Sequence, residues 1–363
     1  MTATRSIPSA SVFIAFLNRF PRLVAAGLLV VGTGTARAQD QASYGELAGE
    51  LLCGGLEEIV VGLTNLNDGT LPHEAKALRK ELGRFRNRLD LFAFAYPTGP
   101  GKDKFLKLRE DVDKGYERMG NFKDLFDTQR IDLAEYDPGK DKWSKGVRPE
   151  ALVYPDPARV SDRRKKVLKW RDKFVEPEQL AAYQAYICAP DLKQFHERLA
   201  KDLSRFYWGG DEGIMPRGDL SGIDNFRALA AELLDRSIVS YPAVLELRHL
   251  EGEVAVQFHD FRKRARSVVK IADDIDILPK KSAKADDLHE LMDDIDDGYG
   301  DVNDIIVDLE LAVESGNEAK AAKLRAEIAT EWETLREWQT KNRVEQQMTE
   351  YAALLRSLIR PRP

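Results

Sequence analysis

From residue 40 onward the chain is a succession of long stretches rich in Ala, Leu, Glu, Lys and Arg, divided by short clusters of Gly and Pro. Almost nowhere does it alternate apolar and polar residues as a half-buried strand must, so the fold class it permits is all-α. Helices are expected over 43–66, 72–95, 103–118, 121–135, 159–173, 177–187, 190–207, 223–250, 253–276, 285–298 and 301–315. A long helix is expected from 317 to 358, its interleaved Glu, Lys and Arg suiting a solvated face. Between them, YDPGKDKWSKGVRPEALVYPDP keeps neither helical nor strand period.

The two ends of this helical chain resemble each other. LAGELL at Leu47 to Leu52 returns as LAAELL at Leu229 to Leu234, and a basic helix beginning at His73 returns at His259. DKGY with Gly115 returns as DDGY with Gly298, and GNFKDL with Asp124 returns as GDVNDI with Asp304. Four matches in one order, each roughly 180 to 186 residues apart, point to two copies of one helical unit. We therefore expect two pseudo-symmetric helical bundles, with units at about 43–135 and 223–315 inside a domain spanning 39–358. An inserted helical segment, 136–222, lies between them.

The repeated basic helix carries the chemistry. In PHEAKALRKELGRFRNRLDLF, His73, Lys76, Lys80 and Arg84 share a spacing with His259, Arg262, Arg266 and Lys270 of FHDFRKRARSVVK. At 3.6 residues per turn each set forms one narrow stripe roughly 16 Å long. Arg79 and Arg86 flank the first stripe, and Lys263 and Arg264 the second. Like charges stacked along one face oppose helix formation, so each stripe calls for nearby carboxylates or a bound anion. The carboxylates exist: Asp273, Asp274, Asp276, Asp286, Asp287, Asp293, Asp294, Asp296 and Asp297 could fold back over the second stripe. If instead the two stripes face one groove, a repeating polyanion would bind there through many sequence-blind contacts.

These motifs resemble the conserved histidine alpha-helical domain (CHAD) family, whose basic helix opens on His with Arg or Lys at the third and seventh positions beyond. His259, Arg262 and Arg266 carry that pattern, as do His73, Lys76 and Lys80, while Gly300, Asn303 and Asp304 resemble the family's later glycine-and-aspartate element. The resemblance implies two helical bundles that bind inorganic polyphosphate, or a similar polyanion, in a central basic groove. It implies a binding protein, not an enzyme, with no cofactor. The alternative is a helical envelope-structural or protein-interaction domain whose basic helices are neutralised internally.

The N-terminus adds an expectation about place. Arg19 and Arg22 precede the apolar run from Leu23 to Gly34, and Ala36-Arg37-Ala38 suits cleavage before Gln39, so 1–38 reads as a signal peptide and the product as periplasmic or secreted. Without that segment the formal charge changes from -6 to about -10, an acidic total that argues against general nucleic-acid or anionic-membrane binding. In an oxidising compartment Cys53 and Cys188 could form one bridge or remain two buried thiols.

Other chemistries find little footing. His73, His196, His249, His259 and His289 never form HExxH or another short ligand pair, so no metal site is expected. DDIDDGYGDVND places Ile295 where a calcium loop requires a ligand. No glycine-rich nucleotide loop and no GxSxG is present. The basic run DRRKKVLKWRDKF winds round its helix instead of lining one face, which suits a solvated surface.

Overall fold

Ser43 starts the first helix. Its hydroxyl accepts from the Glu46 amide at 3.2 Å while the Glu46 carboxylate accepts from the Ser43 amide at 2.6 Å, a reciprocal capping box for α1 (Tyr44–Asn65). The chain continues through α2 (Leu71–Leu91), a 3-10 turn (Ala93–Ala95) and α3 (Lys104–Asp127). A two-residue antiparallel pair, β1 (Tyr136–Asp137) and β2 (Lys142–Trp143), follows with Tyr136 opposite Trp143. Then come α4 (Pro157–Phe174), α5 (Pro177–Ile187), α6 (Gly222–Leu245), α7 (Glu253–Ile275), α8 (Ala283–Glu314), α9 (Glu318–Lys341) and α10 (Val344–Leu358). This computed structural model describes residues 42–67, 71–97, 104–127, 136–137, 142–143, 157–192, 195–196, 215–247, 250, 253–279 and 282–360. Within its helices the side chains of Pro72, His73, Asp124, Phe126, Asp127 and residues 253–255 lie outside the description.

The helices form two bundles. In the first, α1 packs on α2, α2 on α3 and α3 on α4, with α5 laid against α1. In the second, α6 packs on α7, α7 on α8 and α8 on α9, while α10 returns to α6 and α8. The bundles meet where α1 packs on α6 and α2 approaches α7. Gly222 permits the first of these contacts: its amide donates to Ala42 O at 2.7 Å, and a Cβ there would lie 3.0 Å from both Ser43 O and Leu47 Cδ2. Tyr44 of α1, Phe92 after α2 and Phe226 of α6 close the junction, with ring centroids 5.0 to 5.8 Å apart. Cys53 of α1 and Cys188 after α5 are joined in a disulfide, Cα to Cα 5.0 Å, tying the intervening segment to the first bundle. The leader expected at 1–38 lies outside the described residues.

Three helix boundaries differ from the sequence expectation. Residues 103–118 and the start of 121–135 form the single helix α3, and 285–298 and 301–315 form the single helix α8. In each, glycines that suggested a break serve close packing. A Cβ on Gly120 would sit 3.1 Å from Arg79 Nε, and one on Gly298 would sit 2.7 Å from Leu335 Cδ1. Conversely, the expected helix over 317–358 divides into α9 and α10 at Arg343, whose φ of 52° is left-handed. Asn342 Nδ2 donates to Trp338 O at 2.8 Å, ending α9, and the turn sends α10 back onto α6. The helix expected at 190–207 falls mainly outside the described residues.

Gly115 and Gly298, the paired glycines of DKGY and DDGY, do the same work in the two bundles. Each receives a side chain from the next long helix, Trp170 of α4 on Gly115 and Leu335 of α9 on Gly298. A Cβ on Gly115 would lie 2.2 Å from Trp170 Cζ2, and Trp170 is fixed because its Nε1 donates to Asp111 O at 2.8 Å. Gly115→Ala is therefore expected to destabilise the protein by about 3 kcal/mol through overpacking. Urea unfolding would measure this against Gly54→Ala, where a Cβ meets nothing within 4 Å. That helical control should be neutral or mildly stabilising.

Candidate functional site

Tyr116 organises the face of α2 and α3 that turns toward α7. Its ring lies flat on α2 because Gly83 has no side chain; a Cβ there would be 3.1 Å from Tyr116 Cε2. Arg79 and Arg86, two turns apart on α2, place their guanidinium carbons 4.9 and 4.3 Å from the ring centroid. An aromatic face attracts both cations and holds them at a fixed separation. Arg79 lies over Gly120 of α3, and its Nε is buried without a hydrogen-bond partner among the described residues.

Around this pair opens a groove of about 1260 Å³ between α2, α3 and α7. Its α2 wall presents Lys76, Arg79, Lys80, Arg84 and Arg86, its α3 wall Arg109 and Lys123, and its α7 wall Lys263, Arg266 and Lys270. These ten cations face four carboxylates, Asp90, Asp113, Asp273 and Asp274, which leaves the lining strongly positive. Helix faces with a 3.6-residue period explain the convergence. Lys76, Lys80 and Arg84 fall on one stripe of α2, as do Arg266 and Lys270 on α7.

Part of that charge is already matched. Asp90, buried to 4% exposure, accepts from Arg109 Nε at 2.5 Å and Nη2 at 3.2 Å, and its burial pushes the carboxyl above its usual range. Asp113 takes Arg86 at 3.3 Å and Arg109 at 3.5 Å. Arg84 lies 2.9 Å from Glu81 and 3.3 Å from Asp274. On α7, Arg266 Nε donates to Asp296 of α8 at 3.0 Å, and Arg262 lies 4.0 Å from the same carboxylate. Lys80 and Lys270 have no carboxylate within 4.0 Å among the described residues.

The residues picked from sequence thus divide. Lys76, Lys80, Arg84, Arg266 and Lys270 line one groove. Arg262 and His259 do not line it. Arg262 turns to α8, where it approaches Asp296 and the space above Gly300. His259 is half-buried beside Phe258, and burial together with Lys263 holds its imidazole below its usual range, so it is neutral at pH 7. His73 occupies the first turn of α2, its side chain outside the described residues.

Sequence reasoning missed the α3 wall. Arg109, Asp113, Tyr116 and Lys123 are separated by 4, 3 and 7 residues, which puts them on one helical face, and this spacing was the available signal. The basic run of α4 stays apart. Lys166, Lys169 and Lys173 border a smaller hollow of about 410 Å³ with Lys114 and Arg118, and Lys166 pairs with Asp162 at 2.8 Å. Among the described residues no group of three or more His, Cys, Asp or Glu could hold a metal ion, and no helix is long and apolar enough to cross a membrane.

No protein-family model matches the chain, and no curated protein matches it. Among solved structures it is similar to the CHAD domain from the plant Ricinus communis, with a TM-score of 0.46 and 14% sequence identity over 89% of this chain and 96% of that one. At that TM-score the likeness bears no weight for function.

Proposed function

We propose that the groove between α2, α3 and α7 binds inorganic polyphosphate or a comparable phosphate-rich polyanion. The observation that carries this reading is the convergence of ten Lys and Arg side chains on one continuous groove with only four carboxylates. A groove lined from three helices by point charges and guanidinium forks suits a ligand that repeats the same anionic group along its length. The motif resemblance carried by His73, Lys76 and Lys80 and by His259, Arg262 and Arg266 points to the same ligand. The Arg-flanked apolar run at the N-terminus supports binding outside the cytoplasm.

The ion pairs favour a second reading. Arg84, Arg86, Arg109 and Arg266 each hold a carboxylate, which is what a helical structural or protein-interaction domain with internally neutralised basic helices requires. Titrating long-chain polyphosphate into the protein at low and high salt separates the two. Binding that weakens steeply as salt rises supports the polyanion groove. Failure to bind at low salt leaves the internally neutralised domain as the function class.

A further inference from the structure

Asp274 stands where local physics disfavours an anion. It occupies the last turn of α7, at the negative end of the helix dipole, and its side chain is only 6% exposed. Cations gather round it from two helices. Arg84 Nε of α2 lies 3.3 Å from its carboxylate, and Lys270 stands one turn earlier on its own helix. Arg88 Nη2 of α2 donates to the Asp274 carbonyl at 3.5 Å, while Arg88 Nε is buried without a hydrogen-bond partner among the described residues. Here, where α2 approaches α7, the protein's own carboxylate sits among cations that line the groove.

Resting on the polyanion reading of the groove, we propose that Asp274 is a built-in competitor for the ligand. Ionised, it engages Arg84 and repels a phosphate; protonated, it does neither, so the groove binds polyphosphate more tightly at mildly acidic pH. Burial pushes the Asp274 carboxyl up to about 6, against the opposing pull of Arg88, Arg84 and Lys270. Its neighbours act in known directions. Asp273 on α7 raises it further, but Asp273 is itself held below its usual range by a 3.0 Å hydrogen bond to His289 of α8. His289 is raised by that bond, and Asp293 of α8 lies 3.9 Å from its ring. Glu81 of α2 shares Arg84, and Tyr351 of α10, near Asp273 and Asp293, stays neutral. As pH falls, His289 also gains charge, so the experiment must separate it from Asp274.

Long-chain polyphosphate is the probe, because its internal phosphates stay ionised throughout the range used. Between about pH 7.5 and about pH 5.5 the wild-type affinity should rise about tenfold, the worth of one recovered charged contact. Asp274→Asn should already bind at the higher pH as tightly as wild type does at the lower, with little further change on acidification. His289→Gln should keep most of the acid response. Asp274→Ala provides the same comparison should the amide disturb packing, with helical circular dichroism confirming the fold of each variant. An acid response that survives unchanged in both Asp274 variants, or one lost only in His289→Gln, overturns the inference while leaving the groove reading intact. Absence of binding by wild type and variants at both pH values overturns the two together.

Discussion

Lys80→Glu combined with Lys270→Glu is expected to lower the affinity for long-chain polyphosphate by at least about a hundredfold, since each lost charged contact is worth about 1.5–3 kcal/mol. These lysines face the groove from opposite walls, α2 and α7, and neither has a carboxylate within 4.0 Å among the described residues. Their charge is therefore available to a ligand without breaking an internal pair. The dependence of log affinity on log salt should flatten by about two, one for each phosphate contact removed. Lys165→Glu with Lys166→Glu provides the comparison. Lys166 already pairs with Asp162, and both residues lie on the exposed side of α4, away from the groove. Only long-range attraction should change there, and salt screens it. Equal losses for the two double variants would mean that polyphosphate responds to overall charge, and the groove would lose its claim.

Removing the disulfide should produce the largest change in stability. The Cys53–Cys188 bond closes a loop with a sequence separation of 135, for which loop-closure entropy contributes about 5 kcal/mol. Cys53→Ser with Cys188→Ser should lower the unfolding free energy by an amount of that order, read from denaturant midpoints. The damage should begin at α5 and the residues after it. Among the described residues that segment is held to the bundle by Tyr96 Oη donating to Ile187 O at 2.8 Å, Tyr186 Oη to Pro97 O at 3.1 Å, Tyr183 Oη to Asp111, and the Asp191 and His196 amides to Ala95 O and Phe94 O at 2.8 and 2.9 Å. Hydrogen exchange should accelerate most in α5, whose local opening adds to the loss of global protection. A native protein with two alkylatable thiols would contradict the bond itself.

The helical architecture was legible because the chain's apolar residues keep a helical period almost throughout. The α2 stripe was legible for the same reason, and Lys76, Lys80 and Arg84 do line the groove. What could not be read was tertiary. Arg262 shares a stripe with Arg266 and Lys270, yet it lies against α8 near Gly300, a choice decided by which helix packs alongside α7. Glycines misled in the other direction. Gly120 and Gly298 lower helix propensity and read as breaks, but neighbouring side chains occupy the space they leave, and packing outweighs the roughly 1 kcal/mol of intrinsic cost. The turn at Arg343 carries neither Gly nor Pro, so nothing in TKNRV announced it. The α3 wall was missed for another reason: its cations alternate with acids, and only their spacing relative to Tyr116 distinguishes a groove face from a solvated one.

The aromatic junction of Tyr44, Phe92 and Phe226 has a consequence for how the molecule comes apart. These rings belong to both bundles at once, and Tyr44 Oη is further anchored to Leu91 O at 2.5 Å. Neither bundle can shed its end of α1 or α6 without exposing apolar surface of the other. On heating, the two halves should melt in one cooperative transition, with calorimetric and van't Hoff enthalpies in agreement. Two bundles that look like separable modules along the chain thus behave thermodynamically as a single folding unit.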